Sequence, residues 1–138
     1  MKTILVTGGA GFIGSNLSKV LLDKGNKVHC LDNFYTGSLN NIRSLTSYKN
    51  FSYENFDIIN PLKLKKKFDE IYNLACPASP LQYQYDPIKT IQTSIYGSFN
   101  ILDIAHNSNA KVLHASTSEV YGDPLEHPQI ESYYGNVN

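Results

Sequence analysis

The sequence predicts an α/β domain, a doubly wound parallel sheet with helices on both faces. Three observations carry the prediction. Short apolar, β-branched runs recur, of the kind that suits strands buried on both faces. Segments with helical apolar spacing alternate with them. Glycines cluster directly behind the first strand-like run. At 138 residues the chain has room for one domain, 1–138, around one packed core.

The first strand is Thr3–Thr7. Behind Gly8 and Gly9, the spacing of Ile13, Leu17, Val20 and Leu21 predicts a helix, and Gly25-Asn26 supplies its stop. Lys27–Leu31 reads as a second strand ending at Asp32-Asn33. Strand, glycine turn, helix and strand thus fit within about 30 residues, the dimensions of a βαβ unit. The asparagine-rich stretch that follows reads as a loop with a short helix around Leu39–Leu45. Phe51–Phe56 is a third strand ending at Asp57. Pro61 opens a short helix through the lysines, since proline suits a first helical turn. Glu70–Ala75 is the fourth strand. Cys76–Pro80 reads as a loop, because two prolines three apart fit no regular element. A long helix is expected from Pro87 to about His106, with Ile88, Ile91, Ile95, Leu102 and Ala105 as its buried stripe and Asn107-Ser108-Asn109 as its end. Lys111–Ala115 is the fifth strand, followed by Ser116-Thr117-Ser118-Glu119. Beyond Tyr121 the chain reads as a Pro- and Tyr-rich loop. No internal repeat or domain linker stands out. Strands alternating with helices imply right-handed crossovers, hence a Rossmann-like half or a little more.

Composition excludes several function classes. Twelve basic and twelve acidic side chains cancel, so no nucleic-acid footprint is expected. The cluster Lys63–Lys67 reads as a solvated helix face. No apolar run approaches the roughly 20 residues that span a bilayer, so no membrane partner is expected. Met1-Lys2 leads within two residues into a strand, which does not fit a secretory signal. Cys30 and Cys76 are too few for a disulfide scaffold and are expected as reduced thiols in a cytoplasmic protein. No metal site is assigned.

The chemistry concentrates in Gly8-Gly9-Ala10-Gly11-Phe12-Ile13-Gly14. In such a trio Gly8 turns the chain off the strand, Gly11 lets backbone approach a pyrophosphate, and Gly14 lets helix pack closely on strand. The helix N-terminus then offers unpaired N–H groups and the positive dipole end to phosphates. Asp32 lies 18 residues beyond Gly14, at the tip of the second strand. Its carboxylate suits a ribose diol and repels a 2′-phosphate, which favours NAD over NADP. The competing reading is a turn that only packs, with Asp32 as a surface cap. A P-loop does not fit, because no Lys-Ser/Thr pair follows the glycines. Asp57 suits the adenine amino group, and equally a helix cap before Pro61.

With these residues in place, the sequence resembles the extended short-chain dehydrogenase/reductase family (NAD-dependent epimerase/dehydratase), and within it the N-terminal part of the UDP-glucuronate decarboxylases, or UDP-xylose synthases. The resemblance rests on Val6–Ser15, on Leu31-Asp32-Asn33-Phe34 with Thr36-Gly37, and on Ile71–Pro80. It continues through Asp86–Thr90 and Ala115–Pro124. The glycine motif is shared widely, whereas Pro77–Pro80 together with Ser116–Pro124 is particular to the decarboxylases.

The resemblance implies a lyase that recycles its cofactor. Bound NAD takes hydride from C4 of UDP-glucuronate, the resulting β-keto acid loses CO2, and the hydride returns to give UDP-xylose. By matching position, Gly8, Gly11, Phe12, Ile13, Gly14, Asp32, Asn33, Asp57, Leu74 and Thr93 contact NAD. Pro77, Ala78, Ser79 and Asn100 face the UDP-sugar. Thr117 holds the C4 oxygen and Glu119 acts as an acid/base or orienting group, although Ser116–Ser118 could equally just cap the end of a strand. Ser118 stands where the related 4,6-dehydratases carry Asp to protonate a departing hydroxide, and so argues against that reaction. Glu119 argues against most epimerases.

The family's redox base, a tyrosine with a lysine four residues later, is expected just beyond Asn138. Tyr133 has Val137 and Tyr134 has Asn138 at the fourth position. Tyr85 and Lys89 have the spacing, but Pro87 between them puts Tyr85 outside the helix, and the pair precedes the Thr117 strand. The expectation is therefore an incomplete Rossmann-like domain without the C-terminal substrate lobe, either part of a longer enzyme or a truncated product that binds NAD without turnover. A homodimer is expected for the full-length family, formed through two helices per subunit. Arg43 is the sole arginine, so no bidentate phosphate clamp is visible.

Overall fold

The computed structural model describes residues 1–62 and 66–137. Five strands, β1 (Thr3–Thr7), β2 (Lys27–Asp32), β3 (Phe51–Asn55), β4 (Glu70–Asn73) and β5 (Lys111–His114), form one parallel sheet in the order β3-β2-β1-β4-β5. The order reverses beside β1, which opens a crevice at the carboxyl ends of β1 and β4, the usual ligand position in open α/β sheets.

Alternation along β1 supplies both cores. Ile4 and Val6 face one side with Val28, Leu21, Leu22, Ile42 and Leu45, under α1 (Phe12–Asp23) and α2 (Leu39–Ile42). Leu5 faces the other with Leu31, Ile71, Phe68, Ile58, Ile101 and Ile104. The doubly wound reading holds because every β1 side chain from Ile4 to Thr7 is fully buried. The thiol of Cys30, on β2, is pushed up to about 12 by burial, with the Asp32 charge adding to it. The five strands lie where expected, with ends differing by one or two residues.

Two helical expectations change, and a third lies largely outside the described residues. The short helix expected from Pro61 falls largely on residues 63–65, outside the described residues; Pro61, Leu62, Lys66 and Lys67 lie in no helix. Pro80 is not loop but opens α3 (Pro80–Tyr85), since proline at a helix start lacks only an N–H that would be unpaired anyway. The long helix from Pro87 is real but interrupted: α4 (Pro87–Gln92) passes through a π turn at Thr93–Gly97 into α5 (Ser98–Ser108), which ends on Asn109 in the left-handed region.

Its buried stripe is the wrong face. Ile88, Ile91, Ile95 and Leu102 are 68%, 58%, 49% and 53% exposed, and only Ala105 of the expected five is buried. The inward face is Thr93, Gly97, Ile101, Ile104 and Ala105. The reason is close approach. A Cβ on Gly97 would stand 2.6 Å from Ile58 Cδ1 and 2.8 Å from its Cγ1, so any larger residue there would have to push aside the Ile58 side chain that packs on this helix. Ile13 and Val20 of α1 are likewise exposed, Ile13 because it borders the crevice. No helix among the described residues is long and apolar enough to cross a membrane.

Candidate functional site

The crevice is a cleft of about 1020 Å³. At one end, β1 passes into α1 through the glycine loop. Gly8 has φ +65°, and a Cβ there would sit 2.8 Å from the Leu74 carbonyl oxygen. Gly14 meets the loop still more tightly, its Cβ position lying 2.3 Å from Gly8 O and 2.7 Å from Gly9 Cα. Gly11 is different. A Cβ there would meet only Gly8 O, at 3.2 Å, and otherwise point into open space. Gly11 is also the N-cap of α1, with no side chain capping it. The first-turn N–H groups are therefore left for something in the cleft, which Phe12, Ile13 and Gly14 border.

Asp32 stands at the tip of β2, 7% exposed. One carboxylate oxygen accepts from Ala10 N–H (2.8 Å), the other from Phe34 N–H (2.8 Å). Each oxygen keeps a further lone pair, so the carboxylate can still accept from a diol. The loop after it is stitched to the glycine turn: Ser38 N–H and Asn41 Nδ2 both donate to Ala10 O. The cap reading of Asp32 and its binding reading thus coexist. The same side chain orders the loop and faces the cleft.

Asp57 combines roles as well. Its Oδ1 accepts from Ile59 N–H (3.1 Å) in a local turn, and its Oδ2 accepts from Asn33 Nδ2 (2.9 Å) and Lys89 Nζ. Burial alone would raise this carboxyl, but Lys89, Asn33 and the Ile59 N–H hold it below the usual range. Leu74 and Thr93 complete this side; the Thr93 hydroxyl donates to Lys89 O (2.9 Å). All ten residues expected at the cofactor border one cleft.

The expected sugar side is partly there. Pro77, Ala78, Ser79 and Thr117 border the cleft's other end. Thr117 also caps the 3₁₀ turn Ser118–Tyr121 by accepting from Glu119 N–H (3.2 Å), so capping and lining again fall on one residue. Ser118 and Glu119 sit on that exposed turn, outside the lining. Asn100 is turned away. Its amide donates to Ile58 O (2.7 Å) and Asn60 O (2.9 Å), anchoring α5 to the loop after β3, and it does not border the cleft. Tyr85 is 85% exposed while Lys89 sits on Asp57, so the spaced pair is not assembled.

Sequence reasoning missed Lys89 as a lining residue, and also a polar row across three strand ends. Thr7 Oγ1 donates to Asn73 Oδ1 (2.5 Å), and Asn73 Nδ2 lies 3.0 Å from His114 Nδ1. Asn73 and His114 line the cleft floor. The signal was present as polar residues closing three apolar strands, all in register.

Comparison with known proteins agrees with this geometry. The family model for GDP-mannose 4,6 dehydratase matches residues 5–135. UDP-glucuronic acid decarboxylase 1 of Arabidopsis thaliana is 51% identical over 135 residues, 98% of this chain and 31% of the relative. UDP-glucuronic acid decarboxylase 1 of Xenopus tropicalis is 49% identical over 99% of this chain and 32% of its own length. The chain spans about a third of the length of these curated relatives. Among solved structures, a UDP-N-acetylglucosamine 4-epimerase from Methanobrevibacter ruminantium in complex with UDP-N-acetylmuramic acid superposes with TM-score 0.85 at 30% identity, over 99% of this chain and 44% of that one. A dTDP-glucose 4,6-dehydratase from Bacillus anthracis in complex with NAD gives TM-score 0.83 at 28% identity, over 100% and 45%.

Proposed function

The chain belongs to the GDP-mannose 4,6 dehydratase family, and from that premise we propose that it is the NAD-binding part of a UDP-glucuronate decarboxylase, which converts UDP-glucuronate to UDP-xylose and CO2. The observation that carries the reading is the single cleft joining the glycine loop and Asp32 at one end to Pro77–Ser79 and Thr117 at the other. The open side of Gly11 and the uncapped start of α1 fit a pyrophosphate, and the free lone pairs of Asp32 fit a ribose. The roughly 50% identity to decarboxylases supports the reaction.

NAD, when bound, supplies a reversible oxidation at C4 of the sugar. The chain's own residues do the rest. Backbone N–H groups at Phe12–Gly14 hold the pyrophosphate, Asp32 the ribose and Asp57 the adenine. The Pro77–Ser79 wall seats the sugar and Thr117 orients the C4 oxygen. Glu119, outside the lining here, approaches the ring only if its turn packs inward against the substrate. A 4-keto group makes the C6 carboxylate a β-keto acid, so CO2 departs as electrons flow into the ketone, and the enolate left behind takes a proton at C5 before hydride returns to C4. No acid is needed for that neutral leaving group, which suits Ser118. No proton transfer is assigned to Tyr85 and Lys89, which the fold does not bring together.

A calorimetric titration with NAD tests the cofactor half. Asp32→Ala should weaken binding by at least tenfold, since hydrogen bonds to a charged group contribute about 1.5–3 kcal/mol. Equal affinities would remove the ribose assignment. With NAD and UDP-glucuronate, the 138-residue chain should release no UDP-xylose. Turnover abolished by Tyr85→Phe would overturn this account of the base.

The second reading, a 4-epimerase or 4,6-dehydratase, draws on the solved structures that superpose. Product analysis of a chain that includes the Tyr–Lys pair separates the three. The exposed Ile88, Ile91, Ile95, Tyr96, Phe99 and Leu102 face supports a homodimer of the whole protein. Two free thiols fit a cytoplasmic location.

A further inference from the structure

Lys89 is the only lysine or arginine among the described residues that line the cleft. An ammonium in a phosphate-binding cleft suits a pyrophosphate, yet the structure places this one on Asp57, with both side chains mostly buried. A carboxylate offers about four lone-pair positions. Three are taken here: Lys89 and Asn33 on Oδ2, and Ile59 N–H on Oδ1. One remains, on Oδ1 of a carboxylate that borders the cleft.

We propose that Lys89 is a positioning residue for the base end of the site: it pins Asp57 so that one fixed acceptor meets the exocyclic amino group of adenine and rejects a keto oxygen there. The inference rests on the dinucleotide reading above and adds a selectivity to it. Adenine presents an amino donor at its six-position. Hypoxanthine presents an acceptor at that place and carries its N–H donor one ring position away. A mobile carboxylate can follow the donor to its new place; one held from three directions cannot. Like acceptors then face each other across a partly dry contact, which is unfavourable. Removing the ammonium frees the carboxylate to shift. Pyrophosphate contacts then fall to the backbone of the glycine loop and α1.

The experiment measures dissociation constants for NAD and for nicotinamide hypoxanthine dinucleotide by calorimetry, on the wild-type chain, Lys89→Met, Lys89→Arg and Asp57→Asn. The expected result is at least a tenfold preference for NAD in the wild type, retained in Lys89→Arg. The preference should fall below threefold in Lys89→Met and Asp57→Asn. If Lys89→Met weakens both ligands by the same factor, Lys89 serves the phosphates and the inference fails. It fails too if the ratio is unchanged with both affinities intact. A wild-type chain that binds neither dinucleotide overturns the cofactor reading itself, a distinct outcome. Binding of both dinucleotides by Lys89→Met at the reduced ratio itself shows that the variant folds, since an unfolded chain binds neither.

Discussion

Two glycines three positions apart should respond to the same methyl group in opposite ways. In Gly14→Ala the new Cβ arrives 2.3 Å from Gly8 O, 2.7 Å from Gly9 Cα and 2.9 Å from Gly8 C, all of them backbone atoms. No side chain can rotate away, so the helix must move off the loop. Overpacking of this kind costs about 1–3 kcal/mol, and rigid neighbours put Gly14→Ala at the upper end. With an unfolding entropy near 2.1 cal/mol/K per residue, the 138 residues have roughly 0.29 kcal/mol/K. A loss of about 3 kcal/mol therefore lowers the melting temperature by about 10 °C. In Gly11→Ala the Cβ meets only Gly8 O, at 3.2 Å, and φ at Gly11 is −74°, comfortable for alanine. Its melting temperature should stay within about 2 °C of wild type, helped by the smaller entropy of the unfolded chain. Its affinity for NAD should fall more than tenfold, because the methyl occupies the space left for the pyrophosphate. Calorimetric melting and titration read both numbers. Equal melting losses in the two variants, or a Gly11→Ala chain that binds NAD normally, would refute the division of labour assigned to the loop.

Two further predictions concern the sheet and the exposed helix face. His29 is buried on β2, with Nδ1 on Ser52 Oγ (2.8 Å) and Nε2 without a hydrogen-bond partner. Burial first, and then the Lys66 charge, lower its pKa from the ordinary 6.5, against a smaller opposing effect of Glu54. Below pH 6.5 the unfolded chain takes up a proton that the folded chain resists, so stability should fall progressively as pH drops from 6.5, with no penalty above it. His29→Gln should flatten that part of the melting profile; an unchanged slope would remove His29 as its source. For the homodimer reading, Ile95→Glu with Phe99→Glu should turn a dimer of the whole protein into a monomer by light scattering while leaving the melting of the 138-residue chain nearly unchanged, since both positions are already exposed. A dimer that survives the pair of charges would place the interface elsewhere.

Much of the site was legible before any coordinates, for reasons that can be named. A strand, a glycine turn, a helix and an acidic strand tip are all local features, and their spacing has one economical arrangement in a parallel sheet. Asp32, Asp57 and the glycines therefore came to the same cleft in which Leu74, Thr93 and Pro77–Ser79 also lie. Periodicity failed where two faces of one helix were both plausible. Ile88, Ile91 and Ile95 form an apolar stripe that looks like a core, yet the sheet is met by Thr93 and Gly97. Hydropathy ranks isoleucine above glycine for burial, but the Ile58 side chain packs so closely on Gly97 that the smallest residue fits there best. Asn100 shows a second limit: a position matched from a family does not say which carbonyls lie within reach of its amide.

The sequence by itself determined the strand order's raw material, the phosphate-ready turn and the acid that selects a ribose, because each depends on residues close together along the chain. Tertiary structure decided what depends on separation. It put Lys89 on Asp57, 32 residues apart, and so committed the cleft's lysine to the base end. It joined Thr7, Asn73 and His114 into one polar row through strand register. It also turned the isoleucines of α4 outward. Hydrogen bonds and close contacts are satisfied in three dimensions, and neither charge counts nor periodicity can tell which of several eligible partners arrives first.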